Sequence, residues 1–393
     1  MNKKLILSIE TSCDETAAAV LEITSPNLSL KKERNNTKIP LLAKEGLREV
    51  WPQIKTLSSV VKSQISIHKS FGGVVPEAAA RAHVKYIRPV VEQALSASRL
   101  ALSTIDYIAV THGPGLLPSL LVGVEFAKAL SFATGKPLIP VNHMLGHLYS
   151  PFGKIGVSAS RHIGSLFPMI SLIVSGGHTM IVLQKNIKNY KVLGQTVDDA
   201  AGEAFDKVAK MLNLPYPGGP EVSRLAADGN PKAINFPRPM INDKSYNFSF
   251  SGLKTAVLYY LRAKGQGLGA KSNSLSPTRL ALSAKADICA SFQQAAVDVL
   301  VAKTFRAVKE FKAKSVSLSG GVAANALLRN KLQATCLAGR QASRELQANF
   351  FAPAKNLCTD NAEMIGLAAA FMLKNGFKPK SYKTIKANPN LQL

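Results

Sequence analysis

Cysteine is scarce in this chain. The four residues Cys13, Cys289, Cys336 and Cys358 stand far apart with no Cys-x-x-Cys pair, which excludes a zinc ribbon or a dithiol redox motif and points to a reducing, cytoplasmic setting. No apolar run approaches the roughly 20 residues needed to span a bilayer, so no membrane partner is expected. Only Met1 to Lys4 precede the apolar Leu5-Ile6-Leu7, too little for the parts of a secretory leader, and none is expected. Neither a Gly-x-x-x-x-Gly-Lys-Ser/Thr loop nor a dinucleotide-binding glycine fingerprint occurs, which removes the P-loop and Rossmann readings. Acid is also in short supply: 24 Asp+Glu face 49 Lys+Arg, a net charge of +25. An excess of that size selects a polyanionic partner, nucleic acid before others, with plain solubility as the alternative.

The basic residues are concentrated. Residues 24–55 carry Lys31, Lys32, Arg34, Lys38, Lys44, Arg48 and Lys55 against three glutamates and read as a basic surface insertion. Residues 262–285 and 374–393 each carry five basic residues and no acid. Flexible, peripheral segments of this kind are what a phosphate backbone meets first.

With 393 residues and 46% hydrophobic side chains, the chain can bury sizeable cores. Hydrophobic patterning predicts strands over 5–10 and 17–23 around the polar turn Thr11 to Thr16. A helix is predicted over 76–96, a strand over 105–111, a helix from Ser119, and a strand over 138–141 leading into a helix at His143. The style then restarts with strands over 169–174 and 180–184 around Ser175-Gly176-Gly177-His178-Thr179. Helices over 198–213 and 286–311 and a strand over 315–319 follow. Two similar α/β lobes, 1–142 and 143–393, with a central cleft are expected.

His143-Met144-Leu145-Gly146-His147 puts two imidazoles on one helix face, where they could share a metal ion. A zinc-peptidase helix would carry its general base at the position of Met144, which cannot take a proton from water. Asp360 could complete a two-histidine, one-carboxylate site or could cap a helix. Gly-rich turns at Gly113-Pro114-Gly115, Ser175-Gly176-Gly177, Pro217-Gly218-Gly219-Pro220 and Ser319-Gly320-Gly321 let backbone amides approach an anion. Asp198 and Asp199 are expected to cap the helix that follows them. Asp206, beyond a run of small residues, could accept hydrogen bonds from ribose hydroxyls or a ligand amine.

Together these residues resemble the TsaD family. The resemblance is carried by Ile9-Glu10-Thr11-Ser12-Cys13-Asp14-Glu15-Thr16, Gly72-Gly73-Val74-Val75-Pro76-Glu77, His143/His147, Val174-Ser175-Gly176-Gly177-His178-Thr179, residues 198–207 and Tyr216-Pro217-Gly218-Gly219-Pro220. Phe248-Ser249-Phe250-Ser251-Gly252-Leu253-Lys254-Thr255, Gly320-Gly321-Val322-Ala323-Ala324-Asn325 and Cys358-Thr359-Asp360-Asn361 extend it. It implies a duplicated actin/hexokinase/Hsp70-like (ASKHA) fold. It also implies transfer of threonylcarbamoyl from threonylcarbamoyl-AMP to N6 of adenosine 37, in tRNAs reading codons that begin with A, to form t6A. Carried over by residue, His143, His147 and Asp360 would bind one divalent metal, Fe2+ or alternatively Zn2+. Ile173, Val174, Ser175, Gly176 and Gly177 would cradle the phosphate or acyl part of the donor. Asp206 and Gly219 would contact the adenylate, and Asn325 would stand at its adenosine end. No catalytic acid or base is assigned. Expected partners are tRNA and TsaB-like and TsaE-like proteins. The alternatives are a metallopeptidase of the O-sialoglycoprotein endopeptidase kind and a non-catalytic partner of the same fold. The insertions at 24–55 and 262–285 look longer than the family's usual loops, and the tail lacks an Arg/Trp/Pro-rich ending.

Overall fold

The computed structural model describes residues 2–25, 53–155, 163–264, 281–342 and 348–393. The first half runs β1 (Asn2–Glu10), β2 (Glu15–Ser25), β3 (Gln53–Ser63), α1 (Ile65–His68), α2 (Pro76–Ser98), β4 (Tyr107–Gly113), α3 (Leu117–Thr134), β5 (Leu138–Asn142), α4 (His143–Tyr149) and α5 (Phe152–Ile155). The second runs β6 (Met169–Val174), β7 (Thr179–Gln184), β8 (Tyr190–Gln195), α6 (Ala201–Met211), α7 (Gly218–Ala226), α8 (Ser251–Ala263) and α9 (Leu282–Glu310). It closes with β9 (Ser315–Ser319), α10 (Ala326–Ala342), β10 (Asn349–Phe351) and α11 (Ala362–Lys374).

Among the described residues, the strands form two five-stranded sheets, ordered β3-β2-β1-β4-β5 and β8-β7-β6-β9-β10. In each sheet the first three strands form an antiparallel meander and the last two join in parallel. The two halves therefore repeat one topology, which is the duplicated actin/hexokinase/Hsp70-like fold. Ile6, Leu7 and Ile9 of β1 and every residue of β6 are buried. Central strands covered on both faces need near-continuous apolar runs, here broken only by Ser8 and Ser171 between the apolar residues, which is why these two are legible in the sequence. The outer strands β3, β8 and β10 were not foreseen, because β3 is largely exposed and β10 is only three residues long.

A core cluster of Ile6, Ile139, Val141, Ile173, Val182 and Met364 joins the sheets through α4 and α11. Although it comes last, α11 packs on β1, β2, β4 and β5 of the first sheet, and Ser8 Oγ donates to the Ala362 carbonyl at 2.7 Å. A cut at 142/143 therefore divides the strands by sheet but leaves α11 with the first one.

One helix bears on the membrane expectation without overturning it, and one expectation changes. Among the described residues, α3 is long and apolar enough to cross a membrane by length and composition. It packs against β4 and α2 and carries a Glu125–Lys128 ion pair. The basic C-terminal tail is docked instead of loose. Its Lys380 pairs with Leu138 at the edge of β5, and Ile385 is buried in the first-lobe core. Most of the insertion at 24–55 and residues 265–280 lie outside the described residues.

Candidate active site

The histidine helix α4 is short, and all seven of its residues are buried. Its start is fixed by Asn142, whose Oδ1 accepts from the Met144 and Leu145 amides at 2.8 and 3.4 Å. Gly146 lets α11 close on it, since a Cβ there would stand 3.0 Å from Ile365 Cδ1. The cap of α11 is Asn361, which accepts from the Met364 amide at 3.0 Å. That settles the capping alternative for Asp360, the residue before it, whose Oδ1 lies 3.5 Å from His143 Nε2 and 3.2 Å from His147 Nε2.

One ligand atom each from His143, His147 and Asp360 falls within 4.8 Å of the others. Behind them, Glu10 at the end of β1 is fully buried and lies 3.1 Å from His143 Nδ1. It also accepts from Thr111 Oγ1 at 2.6 Å and from the Ser12 amide. A carboxylate on Nδ1 directs the Nε2 lone pair toward the other ligands, the usual support of a metal-binding histidine. His147 Nε2 is buried without a properly aligned hydrogen bond, despite its 3.2 Å approach to Asp360. An unmet buried nitrogen of this kind costs about 1–3 kcal/mol and fits a cation among the three groups. The donor set is that of a two-histidine, one-carboxylate centre.

Burial alone would depress His143, but the Asp360 and Glu10 carboxylates outweigh it and hold its pKa well above the ordinary value. Burial lowers His147, and the charge on His143 adds to that. Burial also sends His178 down to about 4, so its ring is neutral at pH 7. At the first hairpin, burial followed by the charge on Asp14 raises both Cys13 and Glu15 well above their usual values. Cys13 is thus a thiol at neutral pH and a poor nucleophile.

The second sheet supplies backbone and small residues. Ile173 and Val174 lie inside β6 with buried side chains, while Gly176 and Gly177 are exposed, and a Cβ on either would meet nothing within 4 Å. Beneath them, a Cβ on Gly202 would stand 2.6 Å from the Ser175 carbonyl. One on Gly320, where φ is +89°, would stand 2.3 Å from the Val174 carbonyl. These glycines bring α6 and the β9 turn against the Ser175 turn.

Asp206 Oδ1 accepts from the Gly218 and Gly219 amides at 2.7 and 3.1 Å, holding the first turn of α7 against α6. The Pro217-Gly218-Gly219-Pro220 stretch is thus the start of a helix, not a free loop. Burial pushes the Asp206 pKa up, against the pull of those two amides. Asn325 donates to Ser223 Oγ at 2.9 Å and Gln293 Oε1 at 2.7 Å and accepts from the Leu328 amide at 3.0 Å. Its amide therefore ties α7, α9 and α10 together.

Asp198 and Asp199 do not cap α6. That helix has Ala200 at its cap position, and its Ala201 amide is met by Thr179 Oγ1 at 2.9 Å. Asp198 instead accepts from the Phe250 and Ser251 amides at the start of α8, and Asp199 pairs with Lys207 and Lys254. A cavity of about 350 Å³ beside β7 and β8 is lined by Met180, Val192, Gln195, Asn247 and Gln392 and contains none of the candidate residues.

A family model described as TsaD, tRNA N6-adenosine threonylcarbamoyltransferase, matches residues 55–367. The chain belongs to the TsaD family. It is 45% identical over 385 residues to the tRNA N6-adenosine threonylcarbamoyltransferase of Moorella thermoacetica, covering 98% of this chain and 96% of that one. With the enzyme of the same name from Thermosipho africanus it shares 44% over 389 residues, 99% and 100% of the two chains. Full-length HypF in its phosphate- and nucleotide-bound form superposes with a TM-score of 0.53 at 14% identity, over 96% of this chain and 47% of HypF. HypF from T. kodakarensis gives 0.54 at 13% identity, over 95% and 48%. The HypF likeness shows the fold; the relatives show the activity. As a TsaD-family member the chain is an acyltransferase that forms t6A on tRNA.

Glu10, Ser12 and His178 stand inside the family motifs, but only the fold gives them a place at the site. Ser12 Oγ lies 3.1 Å from His143 Nδ1, and His178 feels the charges of His143, His147 and Asp360. A buried acid closing an otherwise apolar strand was the available signal for Glu10.

Proposed function

We propose that this TsaD-family chain binds one divalent ion through His143, His147 and Asp360, Fe2+ with Zn2+ as the alternative, and takes threonylcarbamoyl-AMP as donor. The observation that carries the metal reading is the buried, unmet His147 Nε2 among three ligand atoms, with Glu10 backing His143. Bound there, the ion would supply Lewis-acid polarisation and a template for the donor.

The protein's own groups do the rest. Glu10 holds the tautomer and orientation of His143. The open Gly176-Gly177 turn offers backbone to the phosphate or acyl part of the donor, with Ile173, Val174 and Ser175 as its support. Asp206 fixes Gly219 through Oδ1, leaving Oδ2 for the adenylate, and Asn325 holds the walls at the adenosine end. In the transfer, N6 of adenosine 37 forms a bond to the carbamoyl carbon, the bond from that carbon to the phosphate oxygen breaks so that AMP leaves with the electron pair, and the proton lost by the amine passes to solvent. The acceptors are tRNAs reading codons that begin with A. TsaB-like and TsaE-like partners assist, the setting is the cytoplasm, and the lobes divide near 142/143, with α4, α11 and the tail packed on the first lobe.

A peptidase reading finds no base, because Met144 is buried in the apolar core. A non-catalytic partner would have no use for the ligand set. The deciding experiment supplies purified protein with unmodified tRNA, threonine, bicarbonate, ATP and an enzyme that makes the adenylate, with and without the partners, and reads tRNA nucleosides by mass spectrometry. Threonylcarbamoyladenosine that depends on His143 and Asp360, together with one metal per chain, is the expected result. Full product from His143→Ala and Asp360→Ala proteins that keep their metal would overturn the assignment.

A further inference from the structure

The tail contains five lysines and no acid from Lys374 onward. Tail residues are bonded at several points to the first lobe. Lys380 pairs with Leu138 on the free edge of β5 through amide bonds of 2.7 and 3.0 Å. The Tyr382 ring meets Phe132 edge-on at 5.5 Å, and Ile385 is buried in the core. The Asn388 amide donates to the His112 carbonyl at 2.7 Å, and the Gly115 amide donates to Pro389 at 3.3 Å. Asn142 Nδ2 donates to the Gln392 carbonyl at 2.8 Å. Asn142 is the cap of α4, and the next residue is His143. The strap thus runs from the outer edge of the first sheet to the helix that carries the two histidines.

Lys378, Lys380, Lys383 and Lys386 stand exposed along it. Among the described residues none of the four makes an ion pair with an acid. The backbone of the strap is bonded to the lobe, so its charges are presented at a fixed place and little ordering is left to oppose binding.

We propose that this strap is a docking surface for the phosphate backbone of the acceptor tRNA, holding it on Lys378, Lys380, Lys383 and Lys386 so that it approaches the cleft at the histidine helix. The proposal rests on the tRNA-modifying activity and adds where on this chain the RNA lies. Phosphate contacts by lysine position a nucleic acid without reading its sequence, so the strap sets affinity and register while the cleft selects the base.

The test uses the full chain with Lys378, Lys380, Lys383 and Lys386 all changed to Gln, which keeps side-chain length and every backbone bond of the strap. Affinity for an unmodified tRNA transcript is measured across about 50–200 mM salt, the range where phosphate contacts dominate. The slope of log affinity against log salt is expected to become shallower by roughly 0.7–0.9 for each phosphate that a lysine no longer neutralises, with KM for tRNA rising and the melting temperature held. If the fourfold variant folds poorly, the pairs Lys378→Gln/Lys380→Gln and Lys383→Gln/Lys386→Gln carry the same test, each with part of the change. A slope and an affinity equal to those of the unaltered chain would overturn the proposal and leave the lysines to solubility or an acidic protein partner. If the unaltered chain forms no modified nucleoside with its partners present, the activity reading fails, while the salt slope still judges the strap.

Discussion

At the end of the first sheet, β1 delivers the buried carboxylate of Glu10 and β5 leads into His143 and His147, with Asp360 arriving ahead of α11. At the matching end of the second sheet, β6 delivers Ser175-Gly176-Gly177, β9 leads into Gly320, and the side chains withdraw. One strand order thus carries two kinds of chemistry. The first end concentrates charged and metal-ligating groups in a largely buried cluster, where burial and mutual charge shift the pKa of each. The second offers backbone and empty space, held in place by close glycine packing. The repeated backbone sets where a ligand can be reached from, and the residues placed at the strand ends set what is done to it.

The contrast makes substitutions at the two ends fail differently. The largest effect is expected from His147→Ala or Asp360→Ala, which remove a ligand from the first end. Metal content by elemental analysis should fall from one per chain to near zero, and nucleoside formation should fall with it. Glu10→Gln keeps all three ligands and loses the carboxylate that backs His143 and accepts from Thr111, so metal affinity should drop by roughly 10- to 100-fold, measured by competition with a chelator. If Glu10→Gln binds metal as well as the unaltered chain, the first end is not organised by buried charge.

At the second end stability should answer before chemistry. Gly320→Ala places a Cβ 2.3 Å from the Val174 carbonyl at a φ of +89°, and a loss of about 1–3 kcal/mol or more is expected in denaturant unfolding. Gly177→Ala meets nothing within 4 Å and should leave unfolding unchanged while raising KM for the adenylate donor. Equal destabilisation by the two would erase the distinction between packing glycine and ligand-facing glycine.

The smallest effect lies where β1 begins, remote from the site. Burial works against the Asp106 carboxylate, but Lys4 at 2.7 Å and the Leu5 amide outweigh it and lower its pKa. A lowered folded pKa stabilises above the unfolded value and is lost as pH falls through the folded one. Asp106→Asn should therefore cost about 0.5–1 kcal/mol at pH 7, and the gap between the two proteins should close as the pH drops below about 4. A gap that widens toward acid would give the pair the wrong sign.

Local physics was readable without coordinates. The near-continuous apolar runs of β1 and β6, the turn glycines between strands, the same-face spacing of His143 and His147 and the missing base at Met144 all depend on neighbours a few residues away. The motif order was enough to recognise the family. What the chain does at long range was not readable. Asp198 and Asp199 look like caps of α6 because cap chemistry is local, yet Thr179 from β7 meets that helix and Asp198 serves α8. Strands β3 and β8 owe their pairing to the neighbouring strand more than to their own pattern. Asp360 could be a cap or a ligand until α11 packed on α4 through Gly146. The tail reads as loose basic chain by composition, and only the free edge of β5, which exists once the sheet has formed, turns it into a fixed strap. Each of these outcomes is decided by backbone groups and surfaces that are created by folding, so no window of sequence contains them.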